Sequence, residues 1–185
     1  MLLLEGTEFS FDEDNDISHE RHTEMSLQQN FAQILQDSEQ LVVINPYERN
    51  IDRLVALQET AHANGREMRW DHQFATILRA MGMTDVKEID WTIVLAQPDH
   101  YVVQNHFNQL HDLDQFNSDY VYLHMNGEPL GEYDPRFAEL SDYLTSNNVL
   151  LRSLGVSGHA TPNDLVALAQ HVNAQKTVTW HSFKP

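Results

Sequence analysis

His159 stands in the run Ser157-Gly158-His159-Ala160, between the apolar stretch 150–154 and a helix start at Thr161-Pro162-Asn163-Asp164. A glycine-containing turn from strand to helix presents backbone N–H groups and the positive end of the helix dipole, which favours phosphate or carboxylate. A histidine at that point can donate to a phosphate oxygen or move a proton near neutral pH. The same residues also support a plainer account, because Thr161 is a good N-cap, Pro162 suits the first helical position and a turn histidine is often merely solvated. His181, in Val178-Thr179-Trp180-His181-Ser182, places a second imidazole at the end of a strand-like run. Arg49 and Arg53 lie one helical turn apart in a chain with only 11 Lys and Arg residues. They follow the apolar run 41–44, so their loop falls at the carboxyl edge of a sheet, where open α/β folds bind ligands. Pairing with Glu48, Asp52 or Glu59 is the competing account of both arginines.

The elements that would position these residues alternate short apolar runs with amphipathic stretches, the pattern of a layered α/β domain with a largely parallel sheet. The expected strands are 2–4, 41–44, 91–96, 120–123, 150–154 and 177–180. Leu27-Phe31-Leu35, Ile51-Leu54-Leu57, Phe74-Leu78-Met81 and Leu165-Leu168-Val172 repeat at helical spacing and predict core-facing helices. Asp134-Pro135 predicts one more, through Phe137, Leu140 and Leu144. Residues 98–117 read as irregular, and Asn126-Gly127-Glu128-Pro129-Leu130-Gly131-Glu132 as a turn-rich loop. The acidic stretch 8–21 reads as a solvated linker, since Asp12-Glu13-Asp14-Asn15-Asp16 lacks the glycine and terminal glutamate of a calcium loop.

Composition narrows the functions further. The 185 residues contain no cysteine, so any metal must rely on His, Asp or Glu. The net charge of −17 argues against a general nucleic-acid binder, because backbone neutralisation by Lys and Arg supplies most non-specific affinity. Residues 151–185 depart from that balance, with Arg152, Lys176 and Lys184 against Asp164 alone. The opening Met1-Leu2-Leu3-Leu4 is too short for a signal-peptide core and no run approaches membrane-spanning length, which predicts a cytoplasmic chain without membrane partners. No Gly-x-Gly-x-x-Gly, Gly-x-x-x-x-Gly-Lys or Gly-x-Ser-x-Gly run is present. Of the 11 histidines, His19 and His22 border the acidic linker. His100, His106 and His111 scatter around a helix axis, and His62, His72, His124 and His171 lack a ligand-type partner at useful spacing.

Several stretches, in order along nearly the whole chain, resemble the metallo-β-lactamase-fold nucleases with a β-CASP domain, ribonuclease J-like proteins in particular. Leu2-Leu3-Leu4-Glu5-Gly6-Thr7 is similar to the strand end that supplies a bridging acidic metal ligand, with Glu5 in place of the usual Asp. Thr23-Glu24 resembles the acidic residue of the first β-CASP motif, and Asn45-Pro46-Tyr47-Glu48-Arg49-Asn50 the loop whose Asn and Arg contact phosphates. Ser157-Gly158-His159-Ala160 is similar to the second β-CASP motif, and His181 falls at the family's last metal-binding histidine. The His-x-His-x-Asp-His run that supplies most ligands of the family's two-metal centre occurs nowhere in the sequence.

The resemblance implies a C-terminal portion of such a hydrolase. Residues 1–17 would be a metallo-β-lactamase-fold stub and linker, 18–152 a β-CASP-like domain and 153–185 a second stub. Glu5 and His181 are then the metal positions, for Zn or Mn in the intact site. His159 is the catalytic position, and Arg49, Asn50, Ser157, Gly158, His159 and Ala160 are the substrate-phosphate positions, with Glu24 as a further motif residue. RNA or a small phosphodiester is the implied substrate. The implied partner is the missing N-terminal half as a separate chain, or a second copy. A chain with only Glu5 and His181 as ligands is expected to bind no metal tightly and to be inactive alone. The alternative is a non-enzymatic remnant or accessory module that associates through exposed strands and at most binds anions.

Overall fold

The fold is taken from a computed structural model and is described for residues 1–7, 23–156 and 158–182. The acidic linker, His19, His22 and Ser157 lie outside the described residues. The chain divides into two compact units, residues 23–156 and a smaller one drawn from both chain ends.

The larger unit is a five-stranded, wholly parallel sheet between two helical layers. Strands β2 (Leu41–Pro46), β3 (Glu67–Arg69), β4 (Tyr101–Gln104), β5 (Tyr120–Met125) and β6 (Leu151–Ser153) lie in the order β3-β4-β2-β5-β6. Successive side chains along a strand face opposite sides, and the buried residues sort accordingly. Val42, Ile44, Val102, Val121 and Leu123 pack under α1 (Glu24–Asp37), α2 (Ile51–Ala63) and α3 (His72–Ala80) through Phe31, Leu54, Leu57, Phe74 and Leu78. Leu41, Val43, Val103, Tyr120 and Tyr122 pack on the opposite side. There they meet α4 (Trp91–Ala96), a 3-10 segment (Phe107–Phe116) and α5 (Pro135–Ser146) through Val94, Leu113, Phe116, Leu140 and Leu144. A sheet covered on both faces needs uninterrupted apolar strands, and all six residues of β2 are buried.

The expected helices begin where their caps place them. Thr23 and Ser26 exchange side-chain-to-backbone hydrogen bonds of 3.1 and 2.8 Å at the start of α1. Asp71 caps α3 by accepting from the Phe74 N–H at 2.7 Å, and Asp134 caps α5 ahead of Pro135.

The expected strand at 91–96 is a helix. Asp90 accepts from the Thr92 N–H at 3.0 Å and starts one short turn in which only Val94 is buried, so capping overrides the β-branched run. The interior sheet position between β3 and β2 belongs instead to β4, which falls inside the stretch read as irregular. Pro98 and His100 immediately before it disguise its start. Strand β3 has only three residues, Glu67, Met68 and Arg69, and its charged ends suit an exposed sheet edge.

The smaller unit has a two-stranded parallel sheet, β1 (Leu2–Glu5) beside β7 (Thr177–Trp180), with Leu2 opposite Thr177 and Glu5 opposite Trp180. Helix α6 (Pro162–Val172) starts at Thr161, whose hydroxyl accepts from the Asp164 N–H at 3.2 Å. No helix among the described residues is long and apolar enough to cross a membrane.

Candidate functional site

Because β1 and β7 run side by side and parallel, the residues that end them meet. The Gly6 N–H donates to the Trp180 carbonyl at 2.9 Å, which sets Glu5 and His181 at the same end of the pair. His159 joins them from the turn before α6, its Nδ1 3.2 Å from Glu5 Oε2. Its ring centroid lies 6.3 Å from that of His181. Thr7 ties the group together: its N–H donates to Glu5 Oε2 at 3.1 Å, and its hydroxyl sits 3.2 Å from His181 Nδ1 and donates to the His181 carbonyl at 3.3 Å. His181 adopts a left-handed backbone, φ 53°, a conformation that a histidine holds only when its surroundings fix it.

The Glu5 carboxyl sits below its ordinary range. Burial, the largest single influence, pushes it up, but hydrogen bonds from the Thr7 backbone and side chain, with the neighbouring His159, outweigh that push. Its other oxygen, Oε1, is buried with no hydrogen-bond partner. A buried carboxylate oxygen left open is a position that a cation or a proton donor would satisfy. Among the described residues, however, no group of three or more His, Asp or Glu side chains is placed to hold a metal ion. Stable zinc sites take three or four protein ligands, and of these Glu5 and His181 are two among the described residues. Gly158 and Ala160 are exposed, and a Cβ at Gly158 would meet nothing within 4 Å, so the turn does not depend on glycine for space.

The remaining sequence-derived positions lie in the larger unit. Asn50 caps α2, accepting from the Arg53 N–H at 3.1 Å, and its Nδ2 donates to Glu24 Oε1 at 3.3 Å. Glu24 is engaged chiefly by Arg53, whose Nη2 approaches Oε1 to 2.6 Å while its Nε donates to Oε2 at 3.0 Å. The Arg53 side chain is only 4% exposed and also donates to Asn126 Oδ1 and the Val156 carbonyl, both at 3.2 Å. Arg53 is thus a structural clamp on Glu24 and makes none of the three pairings expected from its neighbours. Arg49 behaves differently. Its side chain is 77% exposed, 3.7 Å from Glu48, and it lines a cleft of about 540 Å³ at the carboxyl ends of β4, β2 and β5.

Two of the cleft's features escaped the sequence. His106, whose spacing from His100 and His111 scatters the three around a helix axis, lines it with Nε2 3.1 Å from Asp71 Oδ2, and Asp71 is buried. The two atoms stand at ion-pair distance without forming a hydrogen bond. The signal at Asp71, an N-cap before an apolar helix, was legible; its pairing with a histidine 35 residues away was not. Asn45 holds the far wall. Its Nδ2 donates to the Glu128 carbonyl at 2.9 Å, and Gly127 passes so close that a Cβ there would lie 2.6 Å from the Asn45 carbonyl oxygen.

No protein-family model and no curated protein matches the sequence. Among solved structures, the fold is similar to the crystal structure of a protein of unknown function from Enterococcus faecalis V583, with a TM-score of 0.78 and 23% sequence identity. The match covers 100% of this chain and 46% of that one, so the chain spans less than half the length of its structural neighbour. At this identity the likeness shows the fold, an α/β arrangement with parallel sheets, and carries no activity with it.

Proposed function

We propose that the chain is the β-CASP-type, C-terminal part of a metal-dependent phosphodiester hydrolase of the metallo-β-lactamase superfamily, of the ribonuclease J-like kind, and that it needs a complementary half to act. The observation that supports this reading is the convergence of Glu5, His159 and His181 at one end of the β1-β7 pair. In it, Glu5 and His181 are the two residues that would hold a Zn or Mn ion. They are too few to generate hydroxide near neutral pH, so no chemical step is assigned to a metal on this chain. His159, oriented by Glu5 through Nδ1, would donate to a phosphate oxygen or carry a proton. The other ligands would come from a half bearing the His-x-His-x-Asp-His run.

Calorimetric titration with Zn²⁺ and Mn²⁺ tests the reading. Weak binding is expected, further weakened by His181→Ala and Glu5→Gln, with no turnover of a generic phosphodiester. Adding a metallo-β-lactamase-fold half that carries His-x-His-x-Asp-His, supplied as a second polypeptide, should produce turnover that His159→Ala abolishes. Tight stoichiometric binding that survives His181→Ala, or turnover by the chain alone, would overturn it.

The second reading, an accessory module that associates through its strands without catalysis, is favoured by a specific observation. Leu3 and Trp180 are 57% and 62% exposed on the strands of a sheet only two strands wide. Under that reading the complementary half, or a second copy, binds and no activity appears.

A further inference from the structure

We propose that Thr7 is a positioning residue: its hydroxyl holds His181 in the tautomer that carries the proton on Nδ1, so that Nε2 keeps its lone pair for a metal cation. The inference deepens the hydrolase reading and rests on it for the cation alone, while the proton placement stands on hydrogen bonds within the smaller unit.

The meeting of the two residues starts in the backbone. The Gly6 N–H donates to the Trp180 carbonyl at 2.9 Å, which carries the β1-β7 ladder one residue beyond the strands. A Cβ at Gly6 would stand 3.1 Å from the Cβ atoms of both Thr179 and Ser182, tighter than ordinary van der Waals contact. A residue without a side chain therefore lets the strand ends close on each other. Thr7 and His181, which follow, meet across 174 positions of sequence. The Thr7 hydroxyl lies 3.2 Å from His181 Nδ1 and 3.3 Å from the His181 carbonyl oxygen.

The proton follows from counting donors and acceptors. A hydroxyl has one proton to give and lone pairs with which to receive. Two neighbours of the Thr7 hydroxyl can only accept: the His181 carbonyl, and the Glu5 carboxylate, to which the Thr7 side chain also hydrogen-bonds. The hydroxyl proton therefore goes to an oxygen, and Nδ1, the third neighbour, supplies its own. With the ring proton on Nε2 instead, the hydroxyl would turn its proton to Nδ1 and its lone pairs onto two acceptor oxygens. A neutral imidazole protonated on Nδ1 keeps the Nε2 lone pair, and that is the ring atom able to bind a cation. A histidine whose other ring nitrogen donates to a neighbouring oxygen is fixed in tautomer and orientation, and losing such a partner weakens metal binding about 10–100-fold. The Thr7 N–H donates to Glu5 Oε2 at 3.1 Å, so one residue orders both positions assigned to the cation.

The test is long-range proton–nitrogen correlation spectroscopy of the full chain without added metal, at a pH above which the His181 ring signals no longer move, with those signals assigned by their loss in His181→Ala. The wild type should show Nδ1–H as the major tautomer, against the Nε2–H form that an unconstrained histidine side chain prefers. Thr7→Val, which keeps the shape and removes the hydroxyl, should return the ring to Nε2–H, and Thr7→Ser should restore Nδ1–H. Titration with Zn²⁺ alone should find binding about tenfold weaker in Thr7→Val than in the wild type, with Thr7→Ser close to the wild type. Slow exchange of the Gly6 amide reports that the strands still pair; where Thr7→Val loses it, the wild-type tautomer and Thr7→Ser decide. A predominantly Nε2–H ring in the wild type, a tautomer indifferent to Thr7→Val while the strands stay paired, or a zinc affinity that Thr7→Val leaves unchanged would overturn the proposal. An Nδ1–H ring in a chain that binds no zinc at all would uphold the role of Thr7 and count against the hydrolase reading, so the two failures are distinct.

Discussion

The two units differ most in what they bury. In residues 23–156 two apolar layers enclose the sheet, and Trp70, Phe31, Phe74 and Tyr122 are almost wholly removed from water. Among the described residues of the smaller unit, only Leu4 and Leu165 are buried apolar side chains, while Val166, Leu168, Val172 and Trp180 are 45–62% exposed. A three-layer unit can offset its own conformational entropy; a strand pair with one helix removes too little apolar surface to do so. The chemistry-bearing cluster therefore sits on the unit with the weaker core, and the better-packed unit carries the cleft.

The largest expected effect tests that contrast directly. Trp70→Ala empties a fully buried site, breaks the indole N–H bond to Gln58 Oε1 at 2.8 Å and removes a stacked partner of Phe74. It should cost about 3–5 kcal/mol in urea unfolding followed by circular dichroism. Leu165→Ala should shift the main transition by less than about 0.5 kcal/mol and raise amide exchange in α6. If Leu165→Ala lowered the main transition as much as Trp70→Ala, the units would be one cooperative body and the contrast would fail.

A smaller effect separates the two ends of one ion pair. The Arg53 guanidinium is buried, whereas the Glu24 side chain is 52% exposed. Removing the carboxylate leaves a buried charge without its neutralising partner; removing the guanidinium leaves a carboxylate that water can solvate. Glu24→Ala should therefore cost about 2–3 kcal/mol, more than Arg53→Met, measured by the same unfolding. Equal costs would mean that the bonds from Arg53 to Asn126 and Val156, not the charge, hold this corner.

What the sequence could and could not disclose follows the same division. The helices through Phe31, Leu54, Phe74, Leu140 and Leu165 were legible from spacing and caps, and strands β2 and β5 from apolar runs. Strand β4 was not, because a three-residue register between Val102 and Gln104 buries its ends only through β2 and β3, contacts distant in sequence. Trp91–Ala96 misled because β-branched content reports compatibility with a half-buried surface, whereas the Asp90 cap decides the local backbone. In the site, Glu5, His159 and His181 were each singled out by motif; the ties through Thr7, and the orphaned Glu5 Oε1, exist only once β1 and β7 pair. Glu24 and Arg53 were both noticed, yet nothing in the separation of 29 residues pairs them.

The smallest effect sharpens the contrast between histidines. His159 and His181 in the smaller unit are exposed, while His124 in β5 is buried, with Nε2 2.8 Å from the Pro129 carbonyl and 3.0 Å from that of Gly127, and with Phe137 edge-on at 5.3 Å. Burial holds the His124 ring below its ordinary value of 6.5, and the two carbonyls, which favour the protonated ring, offset only part of that. Its folded-state pKa is therefore depressed: the unfolded chain takes up a proton that the native ring refuses. The contribution is whole above about pH 6.5 and is lost as pH falls from there towards the folded-state value. Wild-type stability should drop between pH 7.5 and 5.5, and His124→Gln, which keeps an N–H donor for the loop at 126–132 but cannot titrate, should show a shallower drop. The difference in urea midpoint between the two proteins at the two pH values is the measurement. A variant that loses as much as the wild type on acidification would place the pH sensitivity elsewhere.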